Sequence, residues 1–427
     1  MSQILPTSAQ AGKRARCPQA GAARTATAGR PSHEGLNGRP LGIYAKSIRK
    51  PGDAMAARVQ RFALQSVARQ LLPESRTAKC LRFRAFNQEV KVWKAAEHGT
   101  AHYSGLQTCA SVWACPVCAA KIAERRRAEV LAAMTTHQAQ GGNVHLLTLT
   151  APHQRGDVLV SLLEQQAKAL KKFSTHRETQ AVYAEMGYVG QIRALEVTNG
   201  RKATRNNGWH PHYHVLMFTG AGVDLAKFDA PQLRDWRTRL YLVWAQSCEA
   251  AGLGVPSFDH GLRLDNGDKA SQYVTKWGLE HELVYGHIKK GRDGGESPFD
   301  LLRSVLADKG DTQAAALFRE YAEAFKGKRQ LFWSHGLKAR LAVEELSDQE
   351  VSERVEEGAV LLGQLTPEQW RDVLAVDARV LVLQIAARWG WADVVRLLSL
   401  VEGSHLDKQH RVQCLEVLPE FQTVFKE

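Results

Sequence analysis

The chain has 427 residues, 44% apolar and 24% charged, which is ordinary for a folded protein and enough for two or three domains. It contains no run of about 18 apolar residues and no apolar leader, so neither a membrane helix nor a secretory signal is expected. Seven cysteines and no leader point to a reducing cytoplasm rather than a disulfide framework. The net charge of +13 suits a polyanionic partner.

That charge is unevenly spread. Residues 1–55 carry net +7, residues 56–340 about +14 and residues 341–427 net −8. A basic middle and an acidic end fit a central nucleic-acid surface.

Residues 1–54 are rich in Ala, Gly, Arg, Pro and Thr without apolar period and read as a disordered basic arm. Residues 55–140 read as a helix over 55–72, a cysteine-bearing segment and a second helix from Ala119 to about Gln138, which carries Lys121, Arg125, Arg126 and Arg127. His145-Leu-Leu-Thr-Leu-Thr150 alternates like a strand, with its threonines on one face. Residues 157–183 read as one helix. Gln191–Thr198 reads as a strand, followed by the basic, turn-forming loop 199–208 and the strand Trp209-His-Pro-His-Tyr-His-Val-Leu-Met-Phe218, together a hairpin. Helices follow over 230–251 and 268–280, and from about 312 the pattern is mainly helical. The order predicts an α+β fold with an antiparallel sheet over 141–340 and an acidic helical region over 341–427.

Three constellations carry chemistry. His210, His212 and His214 alternate along a strand and therefore project from one face, while Tyr213, Val215 and Met217 point into packing. A hairpin symmetric about its loop sets Glu196 opposite His212 on that same face. Two imidazoles and a carboxylate make an N/N/O site with open positions, suited to Mn²⁺ or Mg²⁺ with substrate oxygens. Second, Tyr273, Lys276, Trp277 and Glu280 share one helix face; a phenol is a weak nucleophile at neutral pH, and a lysine one turn away can stabilise its anion or the phosphate it attacks. Third, Cys115-Pro-Val-Cys118 is a C-x₂-C knuckle of the structural Zn²⁺ type, with Cys109 upstream, Cys80 as the natural fourth ligand and His102 in reserve.

Together these stretches resemble the rolling-circle replication initiators of bacterial plasmids, members of the HUH endonuclease superfamily. His145–Thr150 resembles the first motif of that family, His210-Pro-His-Tyr-His-Val-Leu216 the second and Tyr273-Val-Thr-Lys276 the third. Trp113–Cys118 and Lys328–Leu337 resemble segments of its larger members. The likeness runs from about residue 78 to 350.

The resemblance implies an HUH nickase domain preceded by a zinc-binding segment. It implies Tyr273 as nucleophile, Lys276 as its helper and a 5′-phosphotyrosine intermediate. It makes His212 and His214 the metal ligands and leaves His210 outside them as support. Its members often carry a Glu four residues before the tyrosine; Lys269 stands there in this chain, and Asp268 and Glu280 are the nearby acids that could take the base role. The implied partners are DNA, at a plasmid double-strand origin with a single-stranded or hairpin nick site, and a host helicase and polymerase; a homodimer is allowed. Transposases and relaxases of the superfamily are the neighbouring alternatives, the relaxases holding metal with three histidines. A zinc-ribbon DNA-binding protein without activity is the non-enzymatic one.

Overall fold

The computed structural model describes residues 51–96, 99–222, 230–275 and 295–424, all within the compact unit Lys50–Glu427. The helix Pro51–Leu71 opens it, with proline at a first-turn position where its missing N–H costs nothing, so helix begins inside the stretch read as a disordered arm.

The central sheet is antiparallel throughout. Its strands are β3 (Asn143–Thr150), β4 (Tyr188–Asn199), β5 (Trp209–Thr219), β6 (Leu262–Asp265) and β7 (Leu331–Trp333), in the order β6-β3-β5-β4-β7. The β4–β5 hairpin sets its two long strands side by side, and β3 closes on the other edge of β5. Alternation along β5 divides its side chains. Tyr213, Val215 and Met217 are buried in the larger core, against helices Leu159–Thr175, Ala230–Glu249 and Thr312–Ala324. Leu216 and Phe218 pack on the opposite face with Leu146, Ile192, Ala270 and Val274. Ala270 and Val274 belong to the helix Gly267–Thr275, so that helix lies on the face that carries the histidines.

A second sheet was not expected. β1 (Val90–Lys94) pairs with β2 (Ala101–Ser104) and with β8 (Val360–Leu365), about 270 residues further along the sequence. Val90, Val92, Ala101 and Leu106 share one core with Leu365, Trp370, Val382 and Leu397. The cysteine segment and the acidic C-terminal helices are therefore built around a common core. The C-terminal region is mainly helical, as the helices Pro367–Ala375, Arg379–Arg388, Trp391–Val401 and Lys408–Val424 attest, but β7 and β8 interrupt the helical run read from residue 312.

The single helix read over 157–183 is two, Leu159–Thr175 and Arg177–Glu185. His176 is extended between them, and its Nδ1 accepts the backbone N–H of Glu178 as an N-cap. Among the described residues no helix is long and apolar enough to cross a membrane.

Candidate metal centre

β5 presents His210, His212 and His214 from one face, each half-buried between fully buried neighbours. Pro211 in mid-strand is tolerated because β3 pairs only as far as Thr150↔His212, so the proline sits just past the end of that ladder. Its carbonyl accepts from the buried Gln166 Nε2 at 2.9 Å, which pins the strand from the core side.

The register sets Glu196 directly opposite His212 and Thr148 directly opposite His214. Glu196 Oε2 lies 3.4 Å from His212 Nε2 and 3.6 Å from His214 Nε2, and the three residues bring one ligand atom each within 4.8 Å of the others. Ligands about 2.1 Å from one cation stand roughly 3.0–3.4 Å apart, so the cradle fits a divalent ion with a small inward adjustment. The tautomers agree with that use. His212 Nδ1 lies 3.2 Å from the His210 carbonyl, which can only accept, so in the neutral ring the proton is on Nδ1 and the Nε2 lone pair faces Glu196. His214 Nδ1 meets Thr148 Oγ1 at 3.0 Å; the hydroxyl can donate or accept, so this contact fixes the ring's orientation, with Nε2 toward the carboxylate. Burial pulls the His214 imidazole down to about 4, against an opposing pull from Glu196, so this ring stays neutral and ready to coordinate.

His210 is not part of the cluster. Its Nδ1 lies 3.4 Å from His153 Nδ1, and burial, followed by repulsion from His212 and His153, pulls its pKa down to about 3. Thr148, His153 and Asp265 complete the surroundings; Asp265, opposite Leu146, favours the charged form of His214. Only Thr148 had a signal in the sequence, its place on the threonine face of the strand. His153 lies beyond any periodic segment, and Asp265 sits in a four-residue strand too short to read.

Tyr273 belongs by its backbone to the helix Gly267–Thr275. Its side chain, that of Lys269, and residues Lys276, Trp277 and Glu280 lie outside the described residues. Asp268 is exposed in the first turn of the helix.

Cys80, Cys109, Cys115 and Cys118 converge, all buried and none in a disulfide. Their sulfurs are 3.4 Å (Cys80–Cys118), 3.7 Å (Cys109–Cys118) and 3.8 Å (Cys80–Cys115) apart. Four thiolates about 2.3 Å from a tetrahedral ion stand roughly 3.8 Å apart, so the donor set fits Zn²⁺. Hydrogen bonding to Cys109, with burial behind it, pushes the Cys80 thiol well above its ordinary range, so four thiolates need a cation to coexist. His102 does not join them; it is part of β2, and its ring nitrogens have no hydrogen-bond partner among the described residues.

A family model described as "Replication protein" matches residues 103–223, a stretch that holds Cys109, Cys115, Cys118, Thr148, Glu196, His212 and His214. The chain is similar to "Protein rep" of Streptomyces lividans, 27% identical over 305 residues, covering 58% of this chain and 66% of that protein. It is also similar to a "Neomycin resistance protein" of Streptomyces cyanogenus, 34% identical over 146 residues, covering 29% of this chain and 32% of that protein. The matched stretches thus span less than two thirds of either relative. No solved structure is significantly similar to the chain. The stretch similar to replication proteins thus holds Glu196, His212 and His214 and three of the four clustered cysteines, with Cys80 preceding it.

Proposed function

We propose that the chain initiates rolling-circle replication of a plasmid by nicking one strand at the origin. The observation that carries this reading is the convergence of Glu196, His212 and His214 on the sheet face against which the Tyr273-bearing helix packs. Glu196, His212 and His214 would hold Mn²⁺ or Mg²⁺, whose charge offsets the charge building on the scissile phosphate. Tyr273 is the nucleophile: its phenolic oxygen bonds to phosphorus and the bond from phosphorus to the 3′-oxygen breaks. The phenol loses its proton and the departing oxygen gains one. The products are a 5′-phosphotyrosine and a free 3′-hydroxyl for a host polymerase to extend behind a helicase. Lys276 neutralises the anion at either stage, and Asp268 or Glu280 serves as base in the closing cleavage. The substrate is single-stranded or extruded, because a phosphate inside an intact duplex cannot reach both the tyrosine and the metal ligands. Cys80, Cys109, Cys115 and Cys118 hold a structural Zn²⁺. The pairing of His210 with His153 favours the two-histidine plasmid initiators over the three-histidine relaxases.

The test is incubation with supercoiled origin plasmid and Mn²⁺ or Mg²⁺, followed by a denaturing gel. Wild-type protein yields nicked circles and a covalent adduct; Tyr273→Phe, which keeps the ring and removes the attacking oxygen, yields neither while still binding origin DNA. An adduct on Tyr273→Phe overturns the nucleophile. Wild-type binding with no nicking under any divalent metal leaves a DNA-binding protein without activity.

A further inference from the structure

The loop between Lys79 and Glu89, directly after the first cysteine of the zinc-type cluster, carries two phenylalanines that the fold does not use. Phe86 is 89% exposed and Phe83 is 52% exposed. Neither is on floppy chain. Leu81 N–H donates to the Gln107 carbonyl at 2.8 Å, Gln107 N–H to the Phe83 carbonyl at 2.8 Å, and Ala85 N–H to the Gly105 carbonyl at 2.9 Å. Gly105, at φ +77°, lies so close that a Cβ there would meet the Glu89 carbonyl oxygen at 1.8 Å. At the base of the loop Cys80 is locked into the four-cysteine cluster, and the Trp370 Nε1–H donates to the Arg82 carbonyl at 2.7 Å. Two large apolar rings on a rigid support, facing water, mark an interaction surface.

The charges around the rings name the partner. Residues 76–91 carry Arg76, Lys79, Arg82, Arg84 and Lys91 against the single acid Glu89. Lys79 and Arg84 are exposed and pair with no acid among the described residues. Other basic residues of this half of the molecule are spent internally: Arg125 and Arg126 pair with Glu129, Glu344 and Asp348, and Lys121 donates to the carbonyls of Ser352 and Arg354. Beside Phe86 a groove is lined by Arg76, Lys79, Gln107, Thr108 and Glu353. Glu353 would repel a phosphate but accept from the amino group of a base.

We propose that Phe83 and Phe86, with Lys79 and Arg84, form a stacking platform for single-stranded DNA, separate from the nicking site. Exposed rings stack on unpaired bases regardless of sequence, while neighbouring cations follow the phosphates. A duplex hides those base faces. The proposal rests on the reading that the chain acts on DNA, and it names a holding site for the strand that origin melting releases.

The test uses the full chain and two fluorescent oligonucleotides of one random sequence, single-stranded and duplex, read by anisotropy over a series of salt concentrations. Phe83→Ala/Phe86→Ala should weaken single-strand binding about tenfold or more, with little change on duplex and an unchanged salt slope. Lys79→Gln/Arg84→Gln should lower the salt slope instead. Phe83→Trp/Phe86→Trp should bind as well as wild type or better. Equal single-strand affinity for wild type and the double alanine variant overturns the proposal, and so does a loss confined to duplex. A shift in oligomeric state of the alanine variant with unaltered DNA affinity assigns the patch to a protein contact instead. Adduct formation by the alanine variant on saturating single-stranded substrate is expected to persist. Failure of nicking in wild type would therefore strike the catalytic reading and leave this result standing.

Discussion

Thr148 decides which nitrogen of His214 is available. Its hydroxyl lies 3.0 Å from Nδ1, so the ring presents Nε2 to Glu196. Thr148→Ala should reduce affinity for Mn²⁺ by about 10–100-fold, Thr148→Ser should restore it, and metal titration by calorimetry reads both. His210→Ala should be mild, because the His210 carbonyl that orients His212 belongs to the backbone and survives the substitution. Proton competition at His214 also changes. An unperturbed imidazole takes up its proton near pH ~6.5, whereas burial moves this ring to about 4, so a metal held by the proposed site would meet less proton competition at His214 in mild acid. His102 offers a cleaner stability test. Burial, reinforced by Lys121 and Arg58, pulls it down to about 4. The unfolded chain takes up that proton below pH ~6.5 and the folded chain only near 4, so stability is lost as pH falls through that window. Thermal melts of wild type and His102→Leu from pH 7 to 4 should diverge in favour of the variant. Parallel curves would mean the ring has a hydrogen-bonding partner that keeps it charged.

At the level of elements, the four-cysteine cluster adds to the apolar core that the cysteine segment shares with the C-terminal helices. Among its described residues the segment 80–118 has two short strands, and its ends meet through sulfur. Cys115→Ser or exhaustive chelation should expose residues 80–140 to protease, and the intact protein should contain about one zinc per chain. A zinc-free chain with the same protease map would remove the metal from that role. The β4–β5 loop shows a second economy. Arg201, read as part of a basic loop, is side-chain buried and bonds Glu296 at 2.8 Å and both oxygens of Asp311 at 2.7 Å, tying the hairpin to the helices that follow. Only Lys202 of that pair reaches water, so the loop offers phosphates less charge than its composition implies.

For the molecule as a whole, the acidic C-terminal part is a structural partner of the basic half. Asp377 bonds Arg82, Glu344 bonds Arg125, Asp348 bonds Arg126, and β8 completes the sheet begun by β1 and β2. Removing residues 341–427 would strip Val90, Val92 and Ala101 of Leu365, Trp370 and Val382. Such a truncation should cost folding of the cysteine segment, seen as aggregation and loss of any bound zinc, rather than yield a trimmed folded chain. A soluble, zinc-replete 1–340 fragment would show that the sheet closes without β8.

Local information sufficed where one face of one strand carried the whole signal. The period of two along His210–Phe218 separates the histidine face from the Tyr213 face, and hairpin symmetry brings Glu196 to His212, because pleat and register follow from short-range geometry. The C-x₂-C knuckle is equally local, and the fold brings Cys80 to it together with Cys109. What tertiary structure alone decided is whatever depends on distant chain. β8 meeting β1, Thr148 meeting His214, His153 meeting His210, and Glu344 and Asp348 pairing with Arg125 and Arg126 all join segments far apart in sequence. Periodicity within a segment records which face is buried, but not against what; that choice is made by packing and charge pairing across the assembled fold.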